Sequence, residues 1–305
     1  MQLGRQLLTP LASFAAALAL LAAPASRAAL KVVSTISTLG ELAQEVGGDR
    51  VEVKSLSKGY QDPHFVEPKP SLMLQLNRAD LLLHVGLELE IGWLPPLVLG
   101  ARNPKIQTGE PGNLDCSATI PLLDVAAGKI DRSMGDVHPQ GNPHYWLTPT
   151  NARLVAREIS GRLAQLDPDG KALYAERLAA FEAKLDAKEK EWAPLIAKIN
   201  GKKVATYHKS WSYVSAWLSL AEVGYVEPKP GIPPDPSHLV QLIATLKKEG
   251  ATLLLMEGFY NKVTAQMVAD KSGAKLLVLD TDVLARPELK TWFDVTQALL
   301  VQLAQ

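Results

Sequence analysis

Apolar and polar positions alternate in two rhythms along this 305-residue chain. Short β-branched or leucine-rich runs at residues 30–35, 51–56 and 80–85 predict strands. The segments between them, 39–46 and 71–78, carry apolar residues every three to four positions and predict helices. Strands that alternate with helices predict parallel βαβ units. The second half restarts the pattern, with a strand at 203–206, a helix at 212–220, a helix at 239–247 and apolar runs at 253–255 and 277–279.

A repeat ties the halves together. Val66-Glu67-Pro68-Lys69-Pro70 recurs as Val226-Glu227-Pro228-Lys229-Pro230, and each copy precedes a helix and then an apolar strand. Five matching residues in register with the same elements predict two lobes of similar topology. The fold class expected is therefore α/β: two lobes, each with a mainly parallel sheet. Between them, residues 151–166 are amphipathic and 171–199 run without glycine or proline except Pro194. Pro168 after Asp167 marks a helix start. A helix of about 30 residues is roughly 45 Å long and can run the length of both lobes. Its predicted buried positions are Leu173, Ala180, Leu185, Trp192 and Leu195. Such a connector is stiff, so limited closure motion is expected. The divisions read as 1–28 leader, 29–150 first lobe, 151–200 linking helices and 201–305 second lobe.

The first residues are a different kind of sequence. Arg5 precedes an uncharged apolar run from 11 to 23, and small residues follow up to Ala28. That order predicts an export signal cleaved near Ala28, which places the mature chain in the periplasm. The apolar run is shorter than the roughly 20 residues of a spanning helix, and no cysteine directly follows it.

Charge and cysteine content narrow the chemistry. The 32 Lys+Arg balance the 32 Asp+Glu, which argues against a protein that works by neutralising nucleic-acid phosphates. A single cysteine, Cys116, excludes a disulfide framework and a cysteine-based zinc cluster. Any metal must be held by nitrogen and oxygen.

Six histidines are available. In open α/β sheets, ligands bind beyond the carboxyl ends of strands. That rule selects His64 in Asp62-Pro63-His64, His144 in Asn142-Pro143-His144-Tyr145-Trp146, and His208 after the strand at 203–206. Three imidazoles and a carboxylate complete a tetrahedral zinc site. Asp280, at the end of a strong strand, ranks first as that carboxylate. Glu257 and Asp282 follow, and water is the remaining occupant. Glu257 could instead accept from an imidazole N–H. His84 reads as a core histidine and His238 as a residue at a helix start. His138 reads as an exposed, flexible loop residue that could guide metal inward. The aromatics Tyr60, Phe65, Tyr145, Trp146, Tyr207 and Trp211 read as an apolar shell around the histidines.

Taken in order, Asp62-Pro63-His64, Asn142-Pro143-His144-Tyr145-Trp146-Leu147, Tyr207-His208 and Leu279-Asp280 resemble the substrate-binding proteins of zinc and manganese ABC transporters. The resemblance covers residues 30 to about 303. It implies two lobes joined by one rigid helix, with the metal between them, held by His64, His144, His208 and Asp280. It also implies delivery of Zn2+ to an inner-membrane ABC permease by a monomer that is not an enzyme. Mn2+ is the less favoured ion, because family members that take it often carry Glu at the third position, where His208 stands. Two departures are visible: residues 65–71 contain no histidine-rich loop, which leaves room for an accessory metallochaperone, and residues 279–283 differ from the family's commonest endings. A manganese or iron carrier of the same family is one alternative function. A zinc-dependent hydrolase is another, of a different class, but no H-E-x-x-H motif or triad supports it.

Overall fold

The computed structural model describes residues 28–126, 128 and 138–305, so the expected leader before Ala28 lies outside the described residues. Strands β1 (Leu30–Ser34), β2 (Val51–Ser55), β3 (Leu81–His84) and β4 (Asn113–Asp115) form one sheet in the order β2-β1-β3-β4. Strands β5 (Lys203–Thr206), β6 (Ala221–Tyr225), β7 (Leu253–Glu257) and β8 (Lys275–Leu279) form another in the order β6-β5-β7-β8. Every pairing is parallel, and the two permutations are the same. The two-lobed α/β reading is thus observed. Continuous runs such as Leu253-Leu254-Leu255-Met256 are buried throughout, as a parallel strand covered on both faces requires.

The covering helices are α1 (Ser37–Gly47), α2 (Pro70–Asn77) and α3 (Leu94–Ala101) in the first lobe. Then come α4 (Pro149–Leu166) and α5 (Lys171–Ile199), followed by α6 (Ser212–Leu218), α7 (Pro236–Glu249), α8 (Lys262–Ser272) and α9 (Trp292–Leu303). Proline at the first helical position starts α2, α4 and α7, where its missing N–H costs nothing. A smaller apolar cluster fills the outer face of each sheet, under α2 and α3 in one lobe and under α7 and α8 in the other. A larger one is continuous through both lobes and includes the buried face of α5. None of the described helices is long and apolar enough to cross a membrane.

Helix α5 packs on α1 and α4 of one lobe and on α9 of the other. Its buried stripe is Tyr174, Phe181, Leu185, Trp192 and Ile199. Leu185 and Trp192 were expected there, but the upper end is turned by one residue from Leu173 and Ala180. Aromatic reach decides the rotation. Tyr174 donates its hydroxyl to buried Asp167, and Phe181 meets Phe293 of α9 with ring centroids 5.5 Å apart. The lobes are also joined directly. Trp146 Nε1 donates to the Thr281 carbonyl and Trp292 Nε1 to that of Trp146. The Asp282 carboxylate accepts from the backbone N–H groups of Ser37 and Thr38 in the first turn of α1.

Candidate metal site

Each candidate histidine sits in a loop beyond a strand end or before a helix, where the two sheets face each other. His64 lies in the loop after β2, a loop anchored by the Trp93 Nε1 bond to the Pro63 carbonyl. His144 lies just before α4, and its neighbour Tyr145 is tied through its hydroxyl to the Val85 carbonyl. His208 follows β5, with its carbonyl accepting from the Thr206 hydroxyl.

Folding brings these three together. One ring nitrogen from each lies within 4.8 Å of the other two. The ring centroids are 5.1 Å apart for His64 and His144, and 5.3 Å for each of the other pairs. The His64 side chain is 8% exposed and that of His208 3%.

The orientation of each ring has a local cause. Asp62 Oδ1 accepts the His64 backbone N–H and lies 2.8 Å from its Nδ1. Asn142 Oδ1 does the same for His144, at 2.9 Å from Nδ1. The two Asx-Pro-His tripeptides therefore fold alike: the proline fixes φ and offers no competing N–H, and the Asx oxygen two residues back locks the imidazole. His208 Nδ1 is held at 2.7 Å by Glu227 Oε2. An acceptor beside every Nδ1 orients each ring and leaves Nε2 as the nitrogen available to a metal ion. Burial, reinforced by the neighbouring imidazoles, holds His144 well below the usual histidine range, so it is neutral at pH 7.

These partners went unread in the sequence. The repeated Asx-Pro-His spacing was the available signal for Asp62 and Asn142. Glu227 belongs to the repeated pentapeptide, yet its counterpart Glu67 is solvent-exposed and pairs with Lys69, so the repeat itself gave no indication.

The remaining candidate residues take other places. Asp280 is not drawn into the histidine cluster: its Oδ2 accepts from Arg286 Nε at 2.7 Å on a partly exposed surface. Asp282 is spent on α1, accepting from Ser37, Thr38 and Val283 N–H groups and from the Thr38 hydroxyl. Glu257, at the end of β7, lines a cavity with His64, His144, Ser210, Tyr260 and Thr281. Its carboxyl is pushed up to about 8 by burial, partly offset by the Ser210 hydroxyl. His138 is not an exposed loop residue. Its ring stands 5.5 Å from that of His64 and 6.2 Å from that of His144. It donates to the Leu87 carbonyl while its Nε2 is buried without a partner, and burial pushes it down to about 3.

His84 and His238 stand apart from the site, bonded to Asn113 and to the Tyr225 carbonyl respectively. Of the expected aromatic shell, Tyr145, Trp146 and Trp211 are buried, whereas Tyr60 and Phe65 are 64% and 68% exposed at the rim. Tyr260, stacked on Tyr207 with centroids 4.6 Å apart, completes the wall beside His208.

The arrangement can hold a small, nitrogen-preferring cation in a dry setting, and known proteins of the same build match it. The sequence profile of the periplasmic zinc-uptake complex component A family fits residues 32–305. The zinc-binding lipoprotein AdcA of Streptococcus pneumoniae serotype 4 is 25% identical over 256 residues, which are 82% of this chain and 50% of AdcA. The manganese ABC transporter substrate-binding lipoprotein PsaA of Streptococcus pneumoniae is 26% identical over 267 residues, covering 86% of this chain and 83% of PsaA. A crystal structure of ZnuA, 28% identical, superposes with a TM-score of 0.75 over 90% of this chain and 98% of that one. The chain belongs to the zinc-uptake complex component A family and is a metal-binding, substrate-binding protein of an ABC transporter.

Proposed function

We propose that this protein captures Zn2+ in the periplasm, between its two lobes, and delivers it to an ABC permease for import. The observation that carries this reading is the triad of His64, His144 and His208, each ring locked at Nδ1 and converging through its other nitrogen. Imidazole-rich coordination suits zinc better than the harder Mn2+, which prefers carboxylate and water oxygens. Export with cleavage near Ala28, action as a monomer and loading by a periplasmic metallochaperone belong to the same proposal.

Elemental analysis of protein purified without added metal, followed by competition titration with Zn2+ and Mn2+, tests the assignment. About one zinc per chain, and a much weaker response to Mn2+, is the expected result. Tight one-to-one Mn2+ binding that zinc displaces poorly would overturn it.

The hydrolase reading gains one element, because Glu257 is a carboxyl of raised pKa in the same cavity as two of the imidazoles. Space argues against it. The cavity's water-accessible volume is about 10 Å³, which is room for one ion or water and not for a substrate beside it. Absence of metal-dependent turnover in a hydrolase screen is the expected outcome.

A further inference from the structure

We infer that Asp124 and Asn142 are positioning residues for the captured ion: together they set His144 against the His208 loop across the lobe boundary, without touching the ion themselves. This rests on the metal-site reading above and goes beyond it by assigning the groups that hold two of the ligands in register.

The first ground is the placement of one amide. Asn142 is buried, and its Oδ1 stands 2.9 Å from both the backbone nitrogen and the Nδ1 of His144. Its Nδ2 donates to the Lys209 carbonyl at 2.8 Å and to Asp124 Oδ2 at 3.0 Å, with Ser212 Oγ also in reach at 3.3 Å. Lys209 directly follows His208. A single side chain therefore touches one ligand and the residue next to another, and the two imidazole centroids lie 5.3 Å apart. The twin turn before His64 carries a carboxylate, Asp62, which can only accept. An amide accepts and donates at once, which is what a residue reaching between the lobes requires.

The second ground is what orients that amide. A carboxylate and a backbone carbonyl only accept, so Asp124 and Lys209 dictate that the NH2 end faces them and the oxygen faces His144. Asp124 is itself fixed. Lys209 Nζ lies 2.8 Å from its Oδ1, and the Ser212 hydroxyl donates to its Oδ2 at 2.6 Å. Burial opposes its charge, yet the bonds from Lys209, Ser212 and Asn142 hold its carboxyl below the usual carboxylate range. The ion pair is partly exposed and contributes little by itself. Its effect is on direction, because it pins the acceptor that turns the amide. Tyr213 of α6 closes the arrangement: its hydroxyl donates to the Asn142 carbonyl and accepts from the Leu123 N–H.

Isosteric exchange tests the proposal. The variants are Asn142→Asp, Asp124→Ala and the swap of Asp124→Asn with Asn142→Asp, each checked for folding by urea unfolding of the metal-free form. Asn142→Asp keeps an acceptor on His144 but turns a carboxylate oxygen toward the Lys209 carbonyl and Asp124. Competition titration is expected to show zinc affinity lower by about tenfold or more, and the visible spectrum of bound Co2+, which reports ligand geometry, should change. Asp124→Ala should weaken zinc binding to a smaller degree. The swap, which again pairs one carboxylate with one amide, should recover part of the loss. Wild-type affinity and spectrum in Asn142→Asp would overturn the assignment, because a carboxylate serves a purely local role as acceptor equally well. Wild-type affinity in Asp124→Ala, or a swap that binds no tighter than Asn142→Asp, would overturn it too. None of these results touches the histidine triad, which would fail separately if His144→Ala bound zinc as wild type does.

Discussion

The Oδ1 atom of Asp282 lies 2.6 Å from the backbone nitrogen of Thr38, 244 positions earlier in the chain. A carboxylate of the second lobe therefore caps the first helix of the other lobe, where exposed N–H groups and the helix dipole favour negative charge. Helix α1 has no side-chain cap of its own at Ile36, so the cap is supplied across the lobe boundary. Removing it leaves buried N–H donors unsatisfied. Asp282→Ala is expected to lower stability by about 1–3 kcal/mol in urea unfolding of the metal-free protein. A midpoint equal to wild type would show that the contact contributes nothing.

The acceptors on the imidazoles should matter nearly as much as the imidazoles themselves. Asp62→Asn and Glu227→Gln each remove a charged partner from an Nδ1 atom while keeping the side-chain shape. Competition titration should show zinc affinity reduced by about 10–100-fold for each, with stoichiometry unchanged. Full wild-type affinity in both would mean that the rings need no such support.

Replacing a ligand should have a larger effect than replacing its partner. His64→Ala, His144→Ala or His208→Ala removes one of the three converging nitrogens. Isothermal titration should show loss of tight binding in each. Wild-type affinity surviving all three would disprove the site.

Stability should also depend on pH through Glu41, on the side of α1 that meets α9. Its carboxyl accepts from the Trp292 backbone N–H, one oxygen is buried without a partner, and burial pushes it up to about 8. Because the folded-state value is raised above the ordinary 4.5, the folded state holds the proton more tightly. Its contribution is then fully present below about pH 4.5 and is lost as pH rises through about 8. Glu41→Gln should flatten this fall and be more stable than wild type at pH 8, on the order of 1–3 kcal/mol. Equal pH slopes for the two proteins in chemical unfolding would contradict the assignment.

The sequence by itself determined the architecture, because the signals involved are local and periodic. Short continuous leucine runs that alternate with amphipathic segments read as strands covered on both faces, and the repeated Val-Glu-Pro-Lys-Pro segment in register with them identified two lobes alike. It also singled out His64, His144 and His208, three residues that folding brings together, since loops at strand ends are where such sheets bind ligands. Tertiary structure decided which other groups reach the site, and one-dimensional order carries no record of that. Asp280 and Glu257 both end strong strands, yet one falls beside Arg286 at the surface while the other enters the cavity. His138 and Glu227 are 6 and 19 residues from the histidines they stand beside, and their places follow from loop paths fixed by long-range contacts. The physical reason is range. Burial and pairing of a charged side chain depend on what the whole chain packs around it, whereas strand and helix depend on a few neighbours.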